Sequence, residues 1–420
     1  MLPSFFRSFK KEYSDVFYLF LLQGVNYLIP LAIMPYLMIK LGADKYGYIG
    51  FSQAVIQYFL LFVDFGFNLS ATKKIAIAKN NKDELSRVFF STLYAKVFLL
   101  LFSSCIFLVL AFGIERFYIY KTTLLATFPM LIGNTFTFTW MYQGIGRIRI
   151  VSLITTFSKI LVLPLIFVFV QTENDYIKAA LIQSSVYVLA GLISTYYLLK
   201  LRIVSFFSFL FLDIKRQIKD SFPLFLSSAA ISMYTQLFVI VLGVFSTPDI
   251  VGRYSAAERL MRALCLMSYV PISQTFFPKI AAMSLVNKSG GKRLFYKLLL
   301  LLSGIMLSIS IGLFIFSDFI SGFLGSAYQG ISVLLKIFSF APFAIGLGAM
   351  LGQIGLIALG DDKTRLKFQK VYFTVACISL VLISILTPFL MEIGTALALV
   401  FTEYSVLILM FYYNKKYGIC

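Results

Sequence analysis

The chain of 420 residues contains no histidine. That removes imidazole catalysis, HExxH metal sites and histidine pH sensing together. Cysteine is scarce, with four residues. Cys105, Cys265 and Cys377 fall in apolar runs, and Cys420 ends the chain. No CxxC spacing occurs, so neither a disulfide framework nor a zinc site is supported; the thiols read as small apolar fillers. P-loop, GxGxxG and GxSxG patterns are missing, as is any cluster with metal-ligand spacing. No cofactor is expected, and an ATP-driven reaction has no support. Charge is also sparse. Only 13% of residues are Asp, Glu, Lys or Arg, against about 25% in a soluble domain.

What the chain has instead is apolar bulk: 60% hydrophobic residues, with 46 Phe and 25 Tyr. This composition predicts an integral membrane protein. The net charge of +19 would suggest nucleic acid in a soluble chain. Here the bases fall mostly in alternate short loops, so no nucleic-acid partner is expected and the lipid bilayer is. Arg7, Lys10 and Lys11 precede the first apolar run, and no small-residue cleavage site follows it, so that run reads as retained.

Runs of about 20 apolar residues are the unit to count. Twelve are expected: 16–39, 47–69, 88–111, 121–144, 151–171, 178–200, 223–246, 254–279, 298–318, 330–356, 369–390 and 395–413. Helices are the default, because an open sheet leaves backbone groups unsatisfied in lipid. Bases concentrate at 70–87, around Arg147 and Arg149, at 201–222, 288–297 and 363–367, and in the tail. The intervening loops hold few. The positive-inside rule therefore places both termini in the cytoplasm.

The one long connection, 201–222, divides the chain into a six-helix lobe at 1–200 and another at 223–420. Its Phe206, Phe207, Phe209, Phe211 and Leu212, flanked by Lys and Arg, read either as an interfacial helix or as a plain linker. A weak repeat supports the division. Residues 43–49 after run one resemble 247–254 after run seven, with Gly47 aligned on Gly252. Six runs per lobe make the two repeats parallel, about an axis along the membrane normal.

Charges inside the apolar runs are the functional candidates, because they are costly there and usually face a bundle interior or a wet cavity. Glu258 and Arg262 are four apart and share a helix face, with Arg259 on its flank. Arginine stays charged and grips phosphate bidentately. The competing reading is a structural Glu258–Arg262 pair. Lys96, Lys159 and Lys336 are lone bases that either face a cavity or snorkel to a nearby interface. Asp64 either binds a coupling cation, pairs with a base, or snorkels with help from Lys73 and Lys74. Glu403 lies mid-run with no base near it in sequence, so it is a functional acid or the partner of a base on another helix. Pro30, Pro35, Pro129, Pro164, Pro271, Pro342 and Pro388 kink their helices. Kinks suit moving lobes, and a fixed bundle equally.

Two stretches carry a family resemblance. Residues 64–76, beginning Asp64-Phe65-Gly66-Phe67-Asn68, resemble the Wzx-type polysaccharide flippases of the multidrug/oligosaccharidyl-lipid/polysaccharide exporter (MOP) superfamily. So does Tyr254-Ser255-Ala256-Ala257-Glu258-Arg259-Leu260, with Pro271-Ile272-Ser273-Gln274 and Phe277-Pro278 after it. The resemblance implies a MATE-like bundle of two six-helix lobes with a basic cavity. It implies an undecaprenyl-pyrophosphate-linked oligosaccharide, an O-antigen or similar surface-glycan unit, moved across a bacterial inner membrane without enzymatic chemistry. An O-antigen polymerase and chain-length machinery would be its partners. It places the pyrophosphate against Arg259 and Arg262, with Lys159, Lys96 and Lys336 as further bases. Asp64, Glu258 and Glu403 would serve H+ or Na+ coupling or charge pairing. The alternatives are a peptidoglycan-precursor flippase or a drug/cation antiporter of the same superfamily. From another class comes a membrane polymerase or glycosyltransferase, against which the short outside loops speak.

Overall fold

The computed structural model describes residues 2–207 and 211–419. Phe209 and Cys420 lie outside the described residues, as do the side chains of Arg7, Lys10 and Lys11. The described backbone is helical throughout, with short breaks and no strand. In chain order the helices are α1 (Leu2–Asp64), α2 (Phe67–Ala78), α3 (Lys82–Gly113), α4 (Glu115–Tyr118), α5 (Lys121–Thr127), α6 (Pro129–Thr135), α7 (Thr139–Gly144), α8 (Ile148–Phe169) and α9 (Tyr176–Leu201). They continue as α10 (Phe211–Phe245), α11 (Pro248–Val286), α12 (Lys288–Leu324), α13 (Ile331–Phe338), α14 (Ala341–Met350) and α15 (Asp362–Lys416). A π-helical stretch, Leu351–Leu359, continues α14.

Each of the twelve expected apolar runs falls mainly on helical backbone. Among the described residues, seven helices are long and apolar enough to cross a membrane: Ala32–Ala78, Lys82–Gly113, Ile148–Phe169, Glu173–Leu201, Lys288–Leu324, Ile331–Leu359 and Lys363–Lys416. The protein is a multi-pass membrane protein.

Local chemistry sets where the helices start and stop. Asn81 caps α3 by accepting from the Asp83 and Glu84 amides at 3.1 and 3.2 Å. Asp361 caps α15 through the Thr364 amide at 2.9 Å. Pro248 opens α11, where its missing N–H has no helical partner to lose. The turn expected between runs one and two is a break at Gly42 alone, with φ 67°, a backbone that glycine adopts without strain. Runs eleven and twelve are parted by a similar break at Met391, φ 46°. The 201–222 connection is irregular from Ile203 to Phe207 and helical from Phe211 on.

The chain forms two compact units. The first comprises Met1–Tyr36 with Val55–Ser228; the second comprises Leu37–Ala54 with Ala229–Cys420. The core of the first gathers on Phe65, Phe89, Phe138, Trp140 and Tyr142. Serine hydroxyls stitch its helices: Ser184 donates to the Ala126 carbonyl at 2.8 Å, and Ser194 to the Thr137 carbonyl at 2.7 Å. The core of the second gathers on Tyr269, Phe295, Met306, Met350 and Tyr372. There the start of the post-Gly42 half of α1 crosses the start of α11 at Gly47 and Gly252. A Cβ on Gly47 would sit 1.7 Å from the Pro248 carbonyl oxygen. Small residues allow this approach, which is how helices associate in lipid without a hydrophobic drive between them.

Candidate functional site

Among the described residues, two clusters of intramembrane charge stand out, one in each unit. In the second unit α11 carries Glu258 and Arg262 one helical turn apart. Arg262 Nε donates to Glu258 Oε1 at 2.8 Å. Its Nη1 lies 3.7 Å from Oε1 of Glu403 on α15. Both carboxylates are buried, at 5% exposure each. Glu403 thus lies within ion-pair distance of a base on another helix. The arginine is clamped between two acids, with Nη2 left without a hydrogen-bond partner. Tyr254, one turn before Glu258, is fully buried with its hydroxyl also unpartnered. Two carboxylates and one guanidinium in a low-dielectric setting leave one negative charge uncompensated, which is expensive unless a proton or cation joins the set.

Arg259 is held differently. It is half-buried, its guanidinium carbon is 5.6 Å from the Tyr46 ring centroid, and Nη1 lies 3.4 Å from the Tyr46 hydroxyl. Tyr46 and Tyr328 beside it are buried. No carboxylate pairs with Arg259 among the described residues. A cation held over an aromatic face keeps its hydrogen-bond donors available.

Arg253, at the start of α11, bridges Asp249 at 3.0 Å and Glu392 at 3.0 Å. It ties the first turns of α11 to the Met391 break in α15. Asp249 and Arg253 stand at i,i+4, a signal readable in sequence; Glu392 has no such marker.

In the first unit Asp64 ends α1 just before the chain turns through Phe65 (φ 39°) and Gly66 (φ 75°). Its Oδ1 accepts from Lys96 Nζ on α3 at 2.8 Å and from Asn134 Nδ2 on α6 at 3.0 Å. The Lys96 side chain is 3% exposed and that of Asp64 26%. Asp64 is thus paired with a base, Lys96, in this structure. Asn134 escaped the sequence reading, although a carboxamide in the apolar run Pro129–Thr135 is itself a marker. Lys74 does not help Asp64; it pairs with Asp220 at 2.7 Å and with Gln217. Phe65 stacks on Phe225 of α10 at 4.4 Å. Much of the Asp64–Asn68 motif is accordingly packing at a helix break.

Lys159 on α8 is half-buried with no ion-pair partner among the described residues. Lys336 pairs with Asp318 at 2.9 Å on an exposed surface. No group of three metal-ligating side chains occurs among the described residues.

Comparison with known proteins follows the same lines. The family described as "Polysaccharide biosynthesis protein" matches residues 13–284. A protein of Escherichia coli (strain K12) named "Putative O-antigen transporter" is 32% identical over 409 residues, covering 97% of this chain and 98% of that protein. A protein of Shigella dysenteriae with the same name is 29% identical over 402 residues, covering 94% and 98%. Among solved structures, the lipid II flippase MurJ in an inward closed conformation matches with TM-score 0.70 and 16% identity, over 94% of this chain and 87% of that one. An inward-facing MATE family transporter of the MOP superfamily matches with TM-score 0.69 and 15% identity, over 93% and 98%. At these identities the structural matches speak for the fold, and that fold is the MOP transporter fold.

Proposed function

Because the chain belongs to the polysaccharide biosynthesis protein family, we propose that it is a flippase for a lipid-linked oligosaccharide. The substrate is an undecaprenyl-pyrophosphate carrying an O-antigen or similar surface-glycan repeat unit. It moves from the cytoplasmic to the outer leaflet of a bacterial inner membrane by alternating access, and both termini of the chain are cytoplasmic. The names of the relatives support transport, and no enzymatic step is assigned. The product passes to the machinery that polymerises repeat units.

Arg259 carries this reading: a half-buried guanidinium, set in a spanning helix, with an aromatic neighbour and no carboxylate. A pyrophosphate leaving water needs its hydration replaced, and a fork of N–H donors can do so. Lys159, an intramembrane base with no ion-pair partner among the described residues, adds positive charge for an anionic cargo. Arg262, gripped by Glu258 and Glu403, has fewer free donors and belongs to coupling: the surplus carboxylate exchanges a proton or Na+ as the substrate moves. Lys96 and Lys336, each with an acid of its own, contribute charge balance.

The test is sidedness. In cells lacking the gene but keeping the glycosyltransferases, the lipid-linked oligosaccharide should accumulate on the cytoplasmic leaflet, and this chain alone should reverse that. Arg259→Ala should lower reversal at least tenfold at equal membrane abundance, with Arg259→Lys in between. Single repeat units building up outside would mean that translocation is intact without the protein, and would overturn the reading.

A further inference from the structure

Helix α10 begins well before its apolar stretch, and its two faces differ. Ile214, Gln217 and Ser221 are buried within the first unit. Two acids flank that face and are neutralised there. Asp213 receives a forked pair of bonds from Arg87, at 3.1 and 2.8 Å, and Asp220 receives Lys74 at 2.7 Å. Ser221 shares a hydroxyl contact with Ser70 at 2.6 Å, and Gln217 donates to Thr92. The helix is thereby fixed by its acidic and polar side.

The opposite side consists of Leu212, Lys215, Arg216, Lys219, Phe222 and Leu226, all exposed. Their spacing of three and four residues puts them in one stripe. Leu212 is 77% exposed and Phe222 52%. None of the three bases has a partner among the described residues. Apolar groups and unpaired cations on one helical face match neither water nor hydrocarbon. They match the boundary layer, where headgroup phosphates meet the first methylenes. The helix also sets the depth. The same helix runs on into the apolar stretch Thr235–Phe245. Lys215 precedes Pro223, where the expected apolar run begins, by about 12 Å along the axis at 1.5 Å per residue.

We propose that this face of α10 binds the headgroups of anionic phospholipids in the leaflet beside it. Phosphates lie against Lys215, Arg216 and Lys219, and Phe222 and Leu226, nearer the apolar run, dip among the acyl chains. The occupant is a lipid surface because exposed apolar side chains adjoin the bases on the side of the apolar run; a free anion or an acidic protein would have no use for them. The inference goes beyond the transport reading and does not depend on it.

The full-length protein in neutral detergent tests this. Its thermal unfolding is followed at about 50 mM salt while phosphatidylglycerol or phosphatidylcholine is titrated in. Phosphatidylglycerol should raise Tm and phosphatidylcholine should not. Each base near an anionic surface is worth about a fivefold gain in affinity, so Lys215→Gln/Arg216→Gln/Lys219→Gln should need up to about a hundredfold more phosphatidylglycerol for the same shift. Its lipid-free Tm should match that of the unmodified chain. Lys288→Gln/Arg293→Gln/Lys297→Gln, which removes as many exposed bases from α12, should respond like the unmodified chain. Should the α10 variant fail to fold, the unmodified chain still decides: salt raised to about 0.5 M should abolish its phosphatidylglycerol response. An undiminished response in the α10 variant would overturn the proposal and leave the face to an acidic protein. Equal losses in both variants, or an equal response to inorganic phosphate, would overturn it as well.

Discussion

Gly47 and Gly252 touch through their backbones: a Cβ on Gly252 would lie 1.8 Å from the Ala43 carbonyl oxygen, and one on Gly47 would lie 1.7 Å from that of Pro248. Backbone oxygens cannot swing aside, so either Gly47→Ala or Gly252→Ala must part the two helices. Overpacking of this kind costs about 1–3 kcal/mol or more. Each variant should unfold at clearly lower temperature in detergent. Gly304→Ala is the control, because nothing lies within 4 Å of its would-be Cβ. Helix propensity predicts an unchanged or slightly raised Tm there.

Asp64 and Lys96 should behave as a unit. Removing the acid alone leaves a nearly fully buried ammonium, and stranding a buried charge costs about 3–5 kcal/mol. Asp64→Ala should therefore destabilise strongly, and Asp64→Ala/Lys96→Met should recover most of the loss. A double-mutant cycle measures the coupling. Additive losses would show that the 2.8 Å contact is not what retains the two residues.

Arg262 stands between two carboxylates at unequal distances, 2.8 Å to Glu258 and 3.7 Å to Glu403. Arg262→Met should strand both acids and be the most destabilising change in the set. Glu258→Gln should be felt more than Glu403→Gln, because the former loses the closer charge-assisted hydrogen bond. The order of the three Tm values checks this.

Asp175 predicts an acid limb. It lies in the turn between α8 and α9 and accepts from Lys178 at 2.6 Å and from the amides of Thr172 and Gln171 at 3.0 and 3.1 Å. Lys178 first, and then the Thr172 bonds, hold its carboxyl well below the usual carboxylate range. A depressed native value stabilises the fold above the unfolded Asp value of about 3.9, and the gain fades as pH falls below that toward the native value. The Tm difference between the unmodified chain and Asp175→Asn should thus be constant above about pH 5 and shrink on acidification.

Helical membrane character was plain in the sequence because it is a sum over hundreds of residues, and single errors do not matter. Partners across helices were not plain. Glu403 carries no mark of Arg262, since spacing rules reach only one or two turns along a helix. Asp64 could be named, but Lys96 and Asn134 as its partners depend on how α1, α3 and α6 pack. Gly47 and Gly252 were aligned as equivalent positions of two repeats; that they press against each other is a fact about helix crossing, which alignment does not contain. The break at Met391 falls in the gap expected between runs eleven and twelve, but its positive φ was not legible, because a non-glycine residue takes such a backbone only where its surroundings impose it.

The segment Leu37–Ala54 belongs to the second unit although both of its flanks belong to the first. On the ribosome this becomes a matter of time. Gly47 emerges roughly two hundred residues before Gly252, which at about 5–20 residues per second is a wait of roughly 10–40 s. Throughout that interval a helix whose surface is shaped for another backbone sits in the membrane without it. Whatever occupies that bare glycine face in the meantime, whether lipid or a membrane chaperone, has to be weak enough to leave when α11 arrives.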